Sequence, residues 1–257
     1  MTKFETFRTL HHAEQPLILP NAWDYASAAL LADAGFPAIG TTSLGVAAAA
    51  GLPDGTAATR AETLTLAQRL GRLPIPVTVD IEGGFSTDPA EVADFCAELA
   101  AAGIAGINLE DSRDNNSLAD PETHGELIAA VKSRTPELFI NARTDTYWLG
   151  TDQDSTFART QHYEKCGADG IFVPGLTDFD EIRTLTTTLT APLNLLFSPT
   201  GGTIHQLAAL GVHRISTGSL LYRAALAAAI RTATAVAETR PLDPDIPNYT
   251  TILDLLR

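Results

Sequence analysis

Asp80 and Glu82 stand one residue apart in Val77-Thr-Val-Asp-Ile-Glu-Gly-Gly-Phe85, where an apolar strand meets a glycine-rich loop. The pattern returns at Gly106-Ile-Asn-Leu-Glu-Asp111. It returns again at Leu138-Phe-Ile-Asn-Ala-Arg-Thr-Asp145, where a strand ends in an arginine and an acid. Charge at the end of a buried strand is tolerated only where it is paired, solvated or metal-bound. Asp80, Glu82 and Glu110 offer hard oxygen ligands with no histidine beside them, which suits Mg2+ or Mn2+ held with several waters. The same acids could be solvated loop residues or ion-pair partners of Arg143. That arginine, bidentate and permanently charged, could clamp a carboxylate or stabilise an enolate oxygen, or serve as a structural partner of Asp145 or Glu110.

Weaker signals lie elsewhere. Gly40-Thr-Thr-Ser-Leu44 ends a strand in hydroxyls and backbone N–H groups, so Thr42, Ser43 and Leu44 could hold an oxyanion or cap the next helix. Asp54, in Gly51-Leu-Pro-Asp-Gly55, reads by itself as an ordinary turn residue. Ser198-Pro-Thr-Gly-Gly-Thr203 precedes a helix and could take a phosphate at its N-terminus. Cys96 and Cys166 sit in helical contexts and read as structural. Of the six histidines, His124 alone lies in a segment able to reach a site at the strand ends.

The elements that position these residues follow one grammar. Ala34-Gly-Phe-Pro-Ala-Ile39, Ala102-Gly-Ile-Ala-Gly-Ile107, Cys166-Gly-Ala-Asp-Gly-Ile171 and Leu210-Gly-Val-His-Arg-Ile215 each give a helix end, a glycine, three residues and an isoleucine. Glycine just past a helix is a left-handed cap, and a β-branched run four residues on opens a strand. Strands are expected at 17–19, 38–41, 77–80, 106–109, 138–142, 171–174, 193–196 and 215–217. Helical patterns lie between them, such as 88–102, with Asp88-Pro89 as N-cap and first-turn proline. This alternation predicts a (β/α)8 TIM barrel, with a doubly wound sheet as the rival, and a barrel carries its site at the C-terminal strand ends. The 257 residues form one domain, with 220–257 as a helical extension: an alanine-rich helix from Leu220 to Glu238, a proline-rich stretch at 241–248 and a last helix at Ile252–Leu256.

Net charge of −14 argues against nucleic acid or an anionic membrane as partner. Two cysteines in unrelated contexts indicate no disulfide framework. No apolar stretch of about 18 residues and no signal-peptide core are read, so a cytoplasmic location is expected.

Five motifs in order carry a resemblance. Asn21-Ala-Trp-Asp-Tyr-Ala-Ser-Ala28, Gly51-Leu-Pro-Asp54, Asp80-Ile-Glu-Gly-Gly-Phe85, Asn108-Leu-Glu-Asp111 and Asn141-Ala-Arg-Thr-Asp145 together resemble the phosphoenolpyruvate mutase/isocitrate lyase superfamily over residues 15–240. The resemblance implies a Mg2+ enzyme that makes or breaks a bond to C3 of pyruvate through a Mg-stabilised enolate. It implies Asp80 as direct metal ligand, with Asp54, Glu82 and Glu110 holding metal-bound waters. Thr42, Ser43 and Leu44 would bind substrate oxyanion, Arg143 would contact substrate and enolate, and Trp23, Asp24 and Asn194 are further substrate-binding candidates. A homotetramer of helix-exchanged dimers is also implied.

Departures narrow the reaction. The carbon–carbon lyases carry a catalytic cysteine after the strand-four acid, whereas this chain reads Glu110-Asp-Ser-Arg-Asp-Asn-Asn-Ser-Leu118. Asn116-Ser117-Leu118 echoes the loop asparagine of the phosphonomutases, but Ser112 replaces their lysine and Pro174 their histidine. Decarboxylation of an oxaloacetate-like 2-oxo acid asks for less, because CO2 leaves without a proton. A phosphonomutase and a non-catalytic 2-oxo acid binding barrel are the alternatives.

Overall fold

The computed structural model describes residues 1–114 and 117–255. Its frame is one parallel sheet of nine strands in a nearly closed barrel with helices around it. The strands of the chain are β1 (Leu17–Leu19), β2 (Asn21–Ala22), β3 (Ile39–Thr41), β4 (Val77–Asp80), β5 (Gly106–Glu110), a separate antiparallel hairpin of β6 (Ser112–Arg113) and β7 (Ser117–Leu118), β8 (Phe139–Arg143), β9 (Gly170–Phe172), β10 (Leu193–Leu196) and β11 (Arg214–Ser216). The helices are α1 (Lys3–Leu10), α2 (Tyr25–Asp33), α3 (Ser43–Ala50), α4 (Arg60–Leu70), α5 (Pro89–Ala101), α6 (Pro121–Arg134), α7 (Thr146–Leu149), α8 (Thr156–Lys165), α9 (Phe179–Thr188), α10 (Ile204–Ala209), α11 (Leu220–Ala237) and α12 (Tyr249–Asp254).

Eight strands were expected, and the ninth arises because the first is split at Pro20, which has no N–H to give the ladder. Its first half pairs with β11 and its second half with β3, so the two halves close the ring on opposite sides. Asn21 ties the joint: its Nδ2 donates to the Thr41 carbonyl (2.7 Å), and its Oδ1 accepts from the backbone N–H groups of Thr217 (3.0 Å) and Gly218 (2.9 Å).

The four predicted glycine caps all adopt positive φ: 90° at Gly35, 91° at Gly103, 106° at Gly167 and 82° at Gly211. Strand alternation then sorts side chains. Val77, Val79, Ile107, Leu109, Ile140, Ile171 and Ile215 join the core beneath the helices. Their neighbours Thr78, Asn108, Asn141, Asn194 and Arg214 are buried as well, and so fill the barrel with polar groups. Arg214 donates to Asn108 Oδ1 (3.2 Å), which also accepts from Asn141 Nδ2 (2.9 Å).

Helix α1 was not anticipated, since a helix of eight residues before the first strand leaves little periodicity to read. Thr2 and Glu5 form its capping box, and Phe7 packs with Leu17, Ala38, Ala105 and Phe139 at the N-terminal strand ends. The helix therefore plugs the lower mouth. The Phe7 ring meets Phe139 edge-on (centroids 5.2 Å) and lies 5.9 Å from the Arg214 guanidinium.

The C-terminal part departs from expectation in two ways. Helix α11 is an 18-residue segment of mean hydropathy 1.3, long and apolar enough by length and composition to cross a bilayer, and only 11% of it is buried. The helix itself was expected from Leu220 to Glu238, but its apolar length was not, because Arg223 and Arg231 interrupt the apolar run. The final helix begins earlier than Ile252, since Asn248 caps it by accepting from Thr251 N–H (2.9 Å), and it ends at Asp254.

Phe7 is wholly buried at the plug, so Phe7→Ala should lower unfolding free energy by about 3–5 kcal/mol. Chemical denaturation measures this, and a loss below about 1 kcal/mol would mean the plug does not support the barrel.

Candidate functional site

A cavity of about 210 Å3 opens at the C-terminal ends of the strands. Its polar lining residues include Asn21, Thr42, Ser43, Asp54, Asp80, Asn108, Glu110, Arg143, Ser216 and Ser219, and its apolar ones Leu44, Trp148, Phe172, Pro174 and Leu196. These residues come from most of the strand ends, and pairing sets who meets whom. Asp80 stands beside Asn108, Glu110 beside Arg143, and Arg143 beside Phe172.

Arg143 is the centre of charge. Its Nη1 pairs with Glu110 Oε2 (2.8 Å) and its Nε with Asp145 Oδ1 (2.6 Å). Burial alone would lower its pKa, but Asp145, Glu110 and Asp80 outweigh that and hold it charged. Glu110 is buried, and its other oxygen accepts from the Ser112 hydroxyl (2.7 Å). Burial pushes the Glu110 carboxyl up to about 8 against the pull of Arg143, with Asp145 and Asp80 adding to the rise. Asp80 is pushed up to about 6, again by burial first, opposed by Arg143 and reinforced by Asp54.

Glu82 lies one step away. It lines an adjoining cavity with Glu110, Ser112 and Arg113, and its carboxylate accepts from Ala57 N–H (2.8 Å) and the Thr59 hydroxyl (2.8 Å). Its pKa is raised by burial, with those two hydrogen bonds opposing. Glu82 thus anchors the 51–59 loop that presents Asp54. Holding Glu82 at φ 51° costs about 1–3 kcal/mol. Its own N–H donates to Asp80 Oδ1 (3.2 Å), which couples this strained turn to the carboxylate in the cavity.

Thr42 is the N-cap of α3 but makes no side-chain cap bond. Ser43 and Leu44, the first residues of that helix, line the cavity, and the N–H groups at a helix start suit an anion. Among the described residues no three His, Cys, Asp or Glu side chains converge closely enough to ligate one ion directly. Three carboxylates nevertheless share the cavity with a single guanidinium. That surplus of negative charge fits a hydrated divalent cation held by one direct carboxylate, with Asp80 placed for it and Asp54 and Glu110 able to hold its waters.

Other expected residues stand apart. Asp24 is exposed and caps α2 by accepting from Ser27 N–H (2.7 Å). Trp23 packs behind α3, edge-on to Tyr222 (5.3 Å), so it supports the oxyanion turn from outside the cavity. Asn194 is buried in the barrel beneath the cavity, with Ser216 as its hydrogen-bond partner (3.3 Å). Asn116 lies outside the described residues. His124 does not reach the mouth: it is wholly buried on α6 against Tyr163 (4.8 Å), and burial lowers its pKa to about 3. The Gly201-Gly202 turn does not line the cavity, and Thr203 and Gln206 already cap the short helix after it. Cys96 is in the core, as expected, and Cys166 caps α8.

Sequence reasoning missed Asn21, Asn108, Phe172, Leu196, Ser216, Trp148 and Ser219 as lining residues. Asn108 was within reach, because it sits two residues before Glu110 and alternation puts both on one face. Trp148, on the short helix α7, and Ser219, at the N-cap of α11, lie beyond their strands where alternation gives no such signal.

A pH dependence follows. Asp80 and Glu110 have folded pKa values near 6 and 8, above the ordinary carboxylate values they take when unfolded. Stability contributed through these two groups is therefore present at low pH and lost as pH rises through those values. A divalent cation needs both groups ionised, so its stabilisation grows over the same window. Saturating Mg2+ should raise Tm more at about pH 8.5 than at about pH 5, and Asp80→Asn should remove the difference. Equal shifts at both pH values would contradict the placement of the cation here.

Comparison with known proteins places this geometry. The phosphoenolpyruvate phosphomutase family profile matches residues 7–237. An uncharacterised protein of Mycobacterium tuberculosis is 47% identical over 244 residues, covering 94% of this chain and 93% of that one. An oxaloacetate decarboxylase of Pseudomonas fluorescens is 33% identical, covering 87% and 81%. Among solved structures, a Burkholderia cenocepacia protein described as a phosphonomutase superposes with a TM-score of 0.83 at 40% identity, covering 92% and 99%. A phosphonopyruvate hydrolase in complex with oxalate and Mg2+ superposes with a TM-score of 0.86 at 25% identity, covering 100% and 95%. The chain belongs to the phosphoenolpyruvate phosphomutase family, within the phosphoenolpyruvate mutase/isocitrate lyase superfamily of lyases and mutases.

Proposed function

We propose that this protein is a Mg2+-dependent lyase that decarboxylates an oxaloacetate-like 2-oxo acid through a pyruvate enolate. The observation that carries the reading is a cavity lining in which Arg143 and the acids Asp54, Asp80 and Glu110 occur together with Trp148, Phe172, Pro174 and Leu196. The 2-oxo acid end suits the charged groups, with its carboxylate on the N–H groups of Ser43 and Leu44 and Arg143 facing the developing enolate oxygen. The leaving carboxylate then faces apolar side chains, which favour neutral CO2 over the anion. Asp80 would hold Mg2+ directly, and Asp54 and Glu110 through water. When bound, the ion supplies Lewis-acid polarisation of the 2-oxo group.

Carbon–carbon cleavage that needs a protonated side chain is less well served, because the segment 110–118 holds no cysteine and the Ser112 hydroxyl in it is bound to Glu110 (2.7 Å). The relative named oxaloacetate decarboxylase supports the reading. Carbon–phosphorus chemistry is the second reading, favoured by the neighbour described as a phosphonomutase. Against it, the described cavity lining offers a phosphonate no cation besides Arg143, which already serves two carboxylates.

Turnover on oxaloacetate, phosphonopyruvate and alkylmalates, with Mg2+ and with EDTA, decides among these. Mg2+-dependent CO2 release from oxaloacetate is expected, and Asp80→Ala should abolish it while the fold persists. Preferential turnover of phosphonopyruvate would establish the second reading, and oxalate binding without any turnover would mean a binding barrel. Arg143→Lys should lower kcat by about 100-fold and raise KM far less, because a fork aimed at growing charge becomes a point charge. A rise in KM with normal kcat would make Arg143 a uniform binder.

We also propose a homotetramer built from helix-exchanged dimers. Support comes from α11, where Leu226 (49%), Ile230 (69%) and Val236 (62%) stand exposed, and from Tyr249 (80%) and Leu253 (39%) on α12. Apolar surface of this extent needs a cover, and two arginines within α11 make a bilayer an expensive one. Light scattering should give a tetramer for the full chain and a dimer after truncation at Arg240. A full-length monomer of 27.2 kDa would refute the assembly.

A further inference from the structure

Behind the cavity lies a hydrogen-bonded cluster around Asp111, the residue after Glu110, none of whose side chains lines the cavity itself. The Asp111 carboxylate is wholly buried. Its Oδ1 accepts from the backbone N–H of Asp145 (2.9 Å). Its Oδ2 accepts from the hydroxyls of Thr144 (2.9 Å) and Tyr163 (2.8 Å) and from Nη1 of Arg159 (3.2 Å). Four donors use the lone pairs of one carboxylate fully.

Two consequences follow from where those donors sit. Thr144 and Asp145 are the two residues after Arg143, so the clamp fixes the backbone that carries the Asp145 side chain. That side chain in turn holds Arg143 Nε at 2.6 Å. Arg159 and Tyr163 lie one turn apart on α8, bonded to each other (3.2 Å), and Arg159 Nη1 also donates to the Ala119 carbonyl (2.9 Å) just past β7. Ala119 N–H donates to the Asp111 carbonyl (2.7 Å), so the same cluster pins both ends of the hairpin that follows Glu110.

Charge makes Arg159 more than a spacer. Glu110, Asp111 and Asp145 are three buried acids in one neighbourhood, and Arg143 and Arg159 are the guanidinium groups paired with them. Without Arg159 the buried Asp111 carboxylate would compete for Arg143 or leave its position, because an unpaired buried charge is not tolerated.

We propose that Arg159 and Tyr163 are positioning residues for the reaction: acting through Asp111 and Asp145, they aim the Arg143 guanidinium into the cavity. This rests on the reading that Arg143 stabilises an enolate oxygen. The cluster then sets turnover although α8 never meets the substrate. Tyr163→Phe removes two hydrogen bonds, one to Asp111 and one from Arg159, and no charge, whereas Arg159→Lys keeps the charge and loses the fork.

The test compares both variants, and Arg143→Lys, with the wild type in two assays with Mg2+ present: oxaloacetate kinetics, and calorimetric titration with oxalate, a planar enolate mimic, and with pyruvate. Arg159→Lys should lower kcat and oxalate affinity by about 10- to 100-fold and Tyr163→Phe by less, while KM, pyruvate affinity and Mg2+ affinity change by under about threefold. Normal kcat per folded molecule with a lowered Tm would overturn the proposal, as would equal loss of oxalate and pyruvate binding. Should either variant give no cooperative melt, Thr144→Val removes another arm of the same carboxylate and must reproduce the selective loss of oxalate affinity. If the wild type turns over none of the substrates yet binds oxalate, the functional reading fails. The aiming of Arg143 is then still decided by whether Tyr163→Phe and Arg143→Lys weaken oxalate in the same direction.

Discussion

The paired guanidinium of Arg143 is the interaction on which the mouth of this barrel depends. A barrel that brings strand ends together also brings their terminal acids together, and Glu110 and Asp145 are both buried within ion-pair distance of this one side chain. Removing Arg143 would leave two buried acids without their cation. Even so, the balance is incomplete. Asp80 and Glu110 keep raised proton affinity because burial outweighs what Arg143 can offset.

The barrel below is built to tolerate charge above. Its interior is a polar layer of Asn21, Asn108, Asn141 and Asn194 with Arg214 beneath, rather than the apolar filling usual at this place. Arg214 is wholly buried, its pKa lowered by burial to about 9 with Asp80 opposing, and it rests between Asn108 and the Phe7 ring. The plug helix α1 is therefore part of the same arrangement, since it closes the lower mouth over the buried cation. Gly106 permits this, because a Cβ there would come within 3.0 Å of Phe7 and 2.8 Å of the Phe139 carbonyl.

Around the rim, support comes from residues outside the lining of the cavity. Glu82 secures the loop bearing Asp54, Trp23 backs the open N-terminus of α3, and Asp111 gathers donors from α8 and the end of β8. The lining they hold combines charged and apolar side chains.

The amino-acid sequence by itself determined the repeat and its consequence. Glycine after each helix, a β-branched run beyond it and acids at the run's end are local signals, and they led to the barrel and to Asp80, Glu110 and Arg143 at one rim. Local signals also erred in intelligible ways. Pro20 split a strand without breaking the ring, α1 was too short to register, and His124 lay in a suitable segment but turned into the helical layer. Tertiary structure alone decided that Glu82 faces the 57–59 loop, that Trp148, Pro174 and Leu196 line one cavity, and that Asp111 is clamped from α8. Each of these depends on side chains far apart in the chain meeting after closure, and the strand register and helix packing that bring them together are properties of the whole ring.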